Sequence, residues 1–261
     1  MTTIDFITEL FCRVDDAMKD VPKHSQSRLY PSEIVTLGLL WALKGGSERA
    51  FYRWVEANFL TLFPHLPERT RLFELFAAHF DWTDRFLAAP TVLGVADSYG
   101  VELIHPRREG RSEKQIGKKG ISNQRWIVGG KLAVILNQWG EVVAWASDTA
   151  NVYDAVFHPM IEPFDQRMIV LADANFHSKA GDPPNLKICK RGEWNCRMVV
   201  ETFLSMITRV CHAKKAAHRV WKYFRARLAF LVAVYNLLIN WKGLLPNEQG
   251  FIPLSIAQFS L

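Results

Sequence analysis

Residues 91–105, TVLGVADSYGVELIH, are rich in β-forming side chains and bounded by Pro90 and Pro106, so they predict a strand with an extension. Asp97 follows the apolar run VLGVA directly. A second aspartate is placed the same way, because Asp173 closes Met168-Ile-Val-Leu-Ala. That short, continuous apolar run is the mark of a buried, parallel strand. Both aspartates are therefore expected where apolar strands end, which is where sheets flanked by helices place their chemistry. A carboxylate half-buried at such a point is costly without a partner, and a divalent cation suits its hard oxygens. Either aspartate alone is also what an ordinary turn or cap carries.

Downstream of the first strand, residues 106–130 are polar, basic and glycine-rich and read as a loop. Residues 131–146 predict a β-hairpin turning near Asn137–Gly140. Asn151–Phe164 reads as a helix, Leu186–Ile188 as a short last strand, and two helices follow, Glu193 to about His212 and Arg219 to Trp241. Upstream, four short helices are expected. The first carries Ile4, Ile7, Leu10, Phe11 and Val14 at helical spacing. The second starts at Pro31-Ser32-Glu33, with Ser32 as its cap, and stops at Gly45-Gly46. The others run Glu48–Phe63 and Glu68–Phe80. The expected fold is α/β, a mixed sheet with flanking helices preceded by a small helical bundle. The expected divisions are 1–88, 89–245 and a tail at 246–261.

A third acid, Glu201, sits among Val199, Val200, Phe203 and Leu204 in a mostly apolar helix. Trp194, Arg197 and Glu201 are spaced by three and four and line one helix face, which continues to Ser205, Thr208 and Arg209. An arginine beside a metal-binding glutamate makes sense where a phosphate is held next to the metal. A lone helical Glu is otherwise an ordinary solvated residue.

These stretches resemble the bacterial insertion-sequence transposases of the DDE type, whose catalytic domain is RNase H-like. VLGVADSYGVELIHPRREG (92–110) is similar to the family's first-aspartate region and MIVLADANFH (168–177) to its second. WNCRMVVETFLSMITR (194–209) resembles its Tyr-x2-Arg-x3-Glu-x6-Lys signature, and AVYNLLINW its closing helix. PSEIVTLGLL, AFYRWVE and LFPHLPERTRL are similar to its leading helical region, so the resemblance covers nearly the whole chain. The resemblance implies that Asp97, Asp173 and Glu201 form a catalytic, metal-binding triad and that Arg197 contacts a phosphate. It further implies two Mg²⁺ ions, with Mn²⁺ able to substitute, acting on double-stranded DNA at transposon ends and target, in a homodimeric complex. The signature Tyr is Trp194 here, and the signature Lys is Thr208, followed by Arg209. Trp194 keeps the aromatic face and loses the hydroxyl.

The net charge of +6 and the pI near 9.2 favour a polyanionic partner. The cations are clustered. Arg107, Arg108, Arg111, Lys114, Lys118, Lys119, Arg125 and Lys131 follow the first strand, opposed only by Glu109 and Glu113. Arg209, Lys214, Lys215, Arg219, Lys222, Arg225 and Arg227 follow Glu201 with no acid among them, and His212 and His218 add to them. Phosphate neutralisation is the natural role of both clusters. The first, beginning ten residues after Asp97, is expected near the acids, although a charged loop is also what a solvated loop carries.

Cys12, Cys189, Cys196 and Cys211 show neither a disulfide framework nor zinc-site spacing, which reads as reduced thiols in a cytoplasmic protein. No basic leader and no long apolar run predicts a signal peptide, a membrane span or a membrane partner. Two other readings stay open: a structure-specific nuclease of the same fold, and a transposase-derived DNA-binding protein that no longer cuts.

Overall fold

The computed structural model describes residues 2–122, 124–190, 197–214, 218–250 and 252–261, with Arg197 described by its backbone alone. The chain opens with four helices, α1 (Thr3–Ala17), α2 (Pro31–Lys44), α3 (Glu48–Asn58) and α4 (Arg69–Ala78), then a 3₁₀ segment at Phe80–Phe86. Pro31 occupies the first turn of α2, where its missing N–H costs nothing, and Gly45 ends the helix at φ 69°. The cap of α2 is Tyr30 rather than Ser32, and Glu33 accepts the Tyr30 backbone N–H at 2.7 Å. Ser32 is buried one position inside the helix.

A six-stranded mixed sheet follows: β1 (Leu93–Ile104), β2 (Lys118–Ser122), β3 (Arg125–Asn137), β4 (Val142–Thr149), β5 (Ile169–Ala172) and β6 (Leu186–Ile188). β3 is the spine. One edge pairs antiparallel with β1, and the other takes β2 along its first half and β4 along its second. β5 pairs parallel with β1, and β6 parallel with β5. The strand order is therefore β2-β3-β1-β5-β6, with β4 pairing β3 on the same edge as β2. The expected loop at 106–130 contains β2 and the start of β3, an antiparallel pair that its lysines and glycines concealed. The expected helix at Asn151–Phe164 is three short turns, Asp154–Phe157, α5 (His158–Ile161) and Glu162–Phe164. Pro159 and Pro163 explain this, since each lacks the N–H an uninterrupted helix needs.

α6 (Arg197–Arg209) and α7 (Trp221–Lys242) close the core. Strand alternation sends residues to two faces. One face (Tyr99, Val101, Leu132, Val134) packs against Val200, Phe203 and Ile207 of α6 and against α7. The other (Ala96, Ala133, Ile135, Val170, Ala172) packs against Phe157, Ile161 and Phe176. α7 is buried on nearly all sides, because the N-terminal helices cover the side that the sheet does not. Gly38 of α2 permits this: a Cβ there would stand 2.3 Å from the Phe230 ring. Asn236 stitches α7 to the sheet, accepting the Val142 N–H at 2.8 Å and donating to the carbonyls of Val142 and Phe86. Residues 1–88 and 89–245 thus share one apolar core, and the tail joins it through Ile256 and Phe259, the latter beside Phe6 and Trp241. Among the described residues, no helix is long and apolar enough to cross a membrane.

Candidate functional site

The β1–β5 register brings two of the three expected acids together. Leu93 pairs with Ile169, Gly94 with Val170 and Val95 with Leu171. Continuing that offset by two residues sets Asp97 beside Asp173, whose backbone is still extended at ψ 174°. By that register the two aspartates fall on one row of the same sheet face, Asp97 within β1 and Asp173 just after β5. The row lies on the face of Val95 and Tyr99, the face that α6 covers.

The two aspartates sit differently from expectation and from each other. Asp173 does close its strand. It caps the turn Ala174–Phe176, and its two carboxylate oxygens accept from the backbone N–H and the side-chain amide of Asn175, at 2.9 and 3.1 Å. Asp97 lies within its strand, opposite Val134, and accepts the Ser98 N–H at 2.7 Å. The parallel pairing with β5 ends two residues before it, at Val95. β1 continues along β3 to Ile104 because Val101 and Leu103 still have a core to enter.

Glu201 comes from α6, which packs against β1. Val200, Phe203 and Ile207 hold the helix down, with the Phe203 ring edge-on to Tyr235 at 4.7 Å. Glu201 itself is solvent-exposed. Among the described residues, no three of His, Cys, Asp and Glu stand close enough to share an ion. Two acids on one row and a third on the overlying helix are thus the arrangement present. Trp194, Lys215 and the side chain of Arg197 lie outside the described residues. Arg209 is exposed in the last turn of α6, and Thr208 is half-buried. Lys214 stands 5.6 Å from the centre of the Tyr99 ring, two residues along the face from Asp97. The buried Tyr99 hydroxyl has no hydrogen-bond partner among the described residues.

The basic segment after β1 is exposed at Arg107, Arg108, Arg111, Lys114, Lys118 and Lys119. It leaves from the far end of β1, about 23 Å beyond Asp97 at ~3.3 Å per residue, not from beside it. Lys119 stands over the Trp126 ring at 5.2 Å and 3.5 Å from Glu109, while Arg125 is 3.4 Å from Glu102. Trp126 is 56% exposed on this hairpin. The sequence reading passed over it, and the only signal was an aromatic beside Arg125 in a basic stretch.

Three cations expected on the surface clusters do other work or have other neighbours. Lys131 is largely buried and bonds the Asp154 carboxylate and the Val152 carbonyl, each at 2.8 Å. Arg227 is 1% exposed among Trp41, Gly46 and Cys211. His218 is 7% exposed, and burial, then the charge of Arg227, lower its pKa to about 3. Helical position explains Arg227: it lies three residues after Phe224, on the buried stripe of α7.

Comparison with protein-family models, with curated proteins and with solved structures finds no match to this chain.

Proposed function

We propose that this chain is a metal-dependent DNA transposase of the DDE type, cutting transposon ends and joining them to target DNA. The observation that carries the reading is the Asp97–Asp173 row beneath the helix of Glu201. The sheet also supports it. Three antiparallel strands (β4, β3, β1) continued by two parallel ones (β5, β6), with Asp97 on β1 and Asp173 directly after the neighbouring β5, suit an RNase H-like catalytic domain, to which β2 is an addition.

The donor set fits the expected metal. Carboxylates are hard oxygen donors of the kind Mg²⁺ takes together with water and phosphate oxygens. Asp97 and Asp173 would hold Mg²⁺, with Glu201 contributing from α6. Bound there, Mg²⁺ would supply charge neutralisation and Lewis acidity for phosphodiester cutting by water and for joining by a DNA 3′-hydroxyl. Asn175 fixes the Asp173 carboxylate in orientation. Lys214 and Arg209 neutralise phosphates flanking the row, and the hairpin of Lys118, Lys119 and Trp126 holds duplex farther along.

The test is incubation with Mg²⁺ and labelled DNA carrying the element's own ends, beside Asp97→Asn. Cutting and joining by the wild type, both lost in the variant while DNA binding persists, is the expected result. Cutting without joining makes the protein a nuclease. Equal binding with no cutting by either protein supports a second reading, a non-cutting DNA-binding protein. That reading is favoured by one observation: both oxygens of Asp173 already have a structural use in capping the turn after β5.

A further inference from the structure

Three helices begin around one cavity of about 480 Å³. Ser47 and Arg49 bring the start of α3 to it, Arg69 and Thr70 the start of α4, and Val220 and Tyr223 the start of α7. A helix start carries backbone N–H groups with no partner inside the helix and the positive end of the helix dipole. Neither Glu68 nor Val220, the capping positions of α4 and α7, supplies a side-chain acceptor. Three positive helix ends therefore converge with two of them uncapped.

The side chains have the same sign. Arg49, Arg69 and Arg219 line the cavity, are exposed, and have no salt bridge within 4.0 Å among the described residues. Arg227 lies behind the floor, 3.4 Å from the carbonyl of Gly46, with its buried Nε lacking a hydrogen-bond partner. His218 lines the cavity while more than nine-tenths buried, and its Nδ1 stands 3.8 Å from Glu48 Oε1, beyond hydrogen-bond reach. Glu48 is the one acid in the lining, and burial holds its carboxyl above the usual range, which weakens its opposition to an anion. Phe73 and Tyr223 add an apolar wall.

We infer that this cavity is a phosphate-binding site. Its volume leaves room beyond a bare oxyanion for the body attached to a phosphoryl group, either in a nucleic-acid strand or in a small phosphorylated molecule. The inference does not depend on the sheet acids or on any cutting activity.

Two measurements on the full chain test it, comparing wild type with Arg69→Gln/Arg219→Gln and with Arg53→Gln as a control on an exposed arginine outside the lining. In the first, inorganic phosphate at about ten times its dissociation constant raises the thermal midpoint of wild type and control by about 3 °C over chloride at equal ionic strength, and leaves the double variant unmoved. In the second, the log–log salt dependence of binding to a short duplex of arbitrary sequence is recorded. A slope shallower by about 1–2 in the double variant, together with the lost phosphate response, assigns the site to a nucleic-acid backbone. A lost phosphate response with an unchanged slope assigns it to a small phosphorylated ligand. Overturning it takes no phosphate response in wild type, or an equal response in the double variant. Neither measurement reads cleavage, so an inactive sheet site leaves the outcome unaffected.

Discussion

Asp97 and Ser98 are chain neighbours on one strand, and they face two differently built sides of the sheet. On the side of Ser98, charge is closed internally. Its hydroxyl donates to Asp154 at 2.7 Å, and Asp154 is paired with Lys131 at 2.8 Å, both side chains nearly out of solvent. On the side of Asp97, the register sets a second carboxylate, Asp173, on the same row, and Lys214 stands over Tyr99 two residues along the strand. A buried charge with its counter-ion beside it is architecture. Two carboxylates set on one row are where the proposed function places a bound cation.

The sharpest way to break that contrast is Asp97→Asn or Asp173→Asn. Cleavage of labelled DNA in Mg²⁺ should fall about a thousandfold, the equivalent of several kcal/mol of transition-state stabilisation, while the thermal midpoint moves by no more than about 2 °C. A large loss of stability with cleavage intact would make the row structural. The opposite side should behave in reverse. Lys131→Ala leaves Asp154 buried without its cation and should cost about 3 kcal/mol in urea unfolding, most of it recovered by Lys131→Met/Asp154→Leu. A single variant as stable as wild type would show that this ion pair closes nothing.

α2 packs on α7 through Gly38 and Phe230, so Gly38→Ala should lower stability by about 2 kcal/mol as its methyl group meets Phe230. DNA binding per folded molecule should be unchanged. Acid gives the mildest separation. His218, on the helical side, titrates at about 3 in the folded protein against 6.5 ordinarily. The unfolded chain therefore takes up a proton between those values that the folded protein refuses, and stability present above pH 6.5 is lost as pH falls. The expected loss is about 1–2 kcal/mol between pH 6.5 and 5, above the carboxylate range, and His218→Phe should flatten it. An unchanged slope in that variant would place the acid sensitivity elsewhere.

The apolar runs before Asp97 and Asp173 were legible because β-propensity and burial point the same way there. Their adjacency was not, since a register is a relation between two strands and neither run states it alone. Asp97 looked like a strand end because the pattern after it loosens to alternation, SYGVELI, which is what a strand covered on one side does. The hairpin of β2 and β3 was hidden by Lys118, Lys119 and the glycines, which are poor strand formers locally and are held by pairing with β3. Arg227 and Lys131 were misplaced for a common reason: composition counts a cation, and only the helical or strand position says which way it points. Pro159 and Pro163 were a signal in plain view, and giving them more weight would have broken the expected helix into the turns observed.

The burial of α7 on nearly all sides has a consequence for how the protein is made. α2 and the helices beside it are complete by residue 78, yet the helix they pack against begins only at Trp221. At ribosomal rates of 5–20 residues per second, the wait between Lys44 and Trp221 is roughly 10–35 s. For that interval, the apolar side of the nascent bundle has nothing of its own chain to cover it. Synthesis of this protein is thus a period of exposure, in which a holding chaperone or a slow, late collapse decides how much chain reaches the folded state.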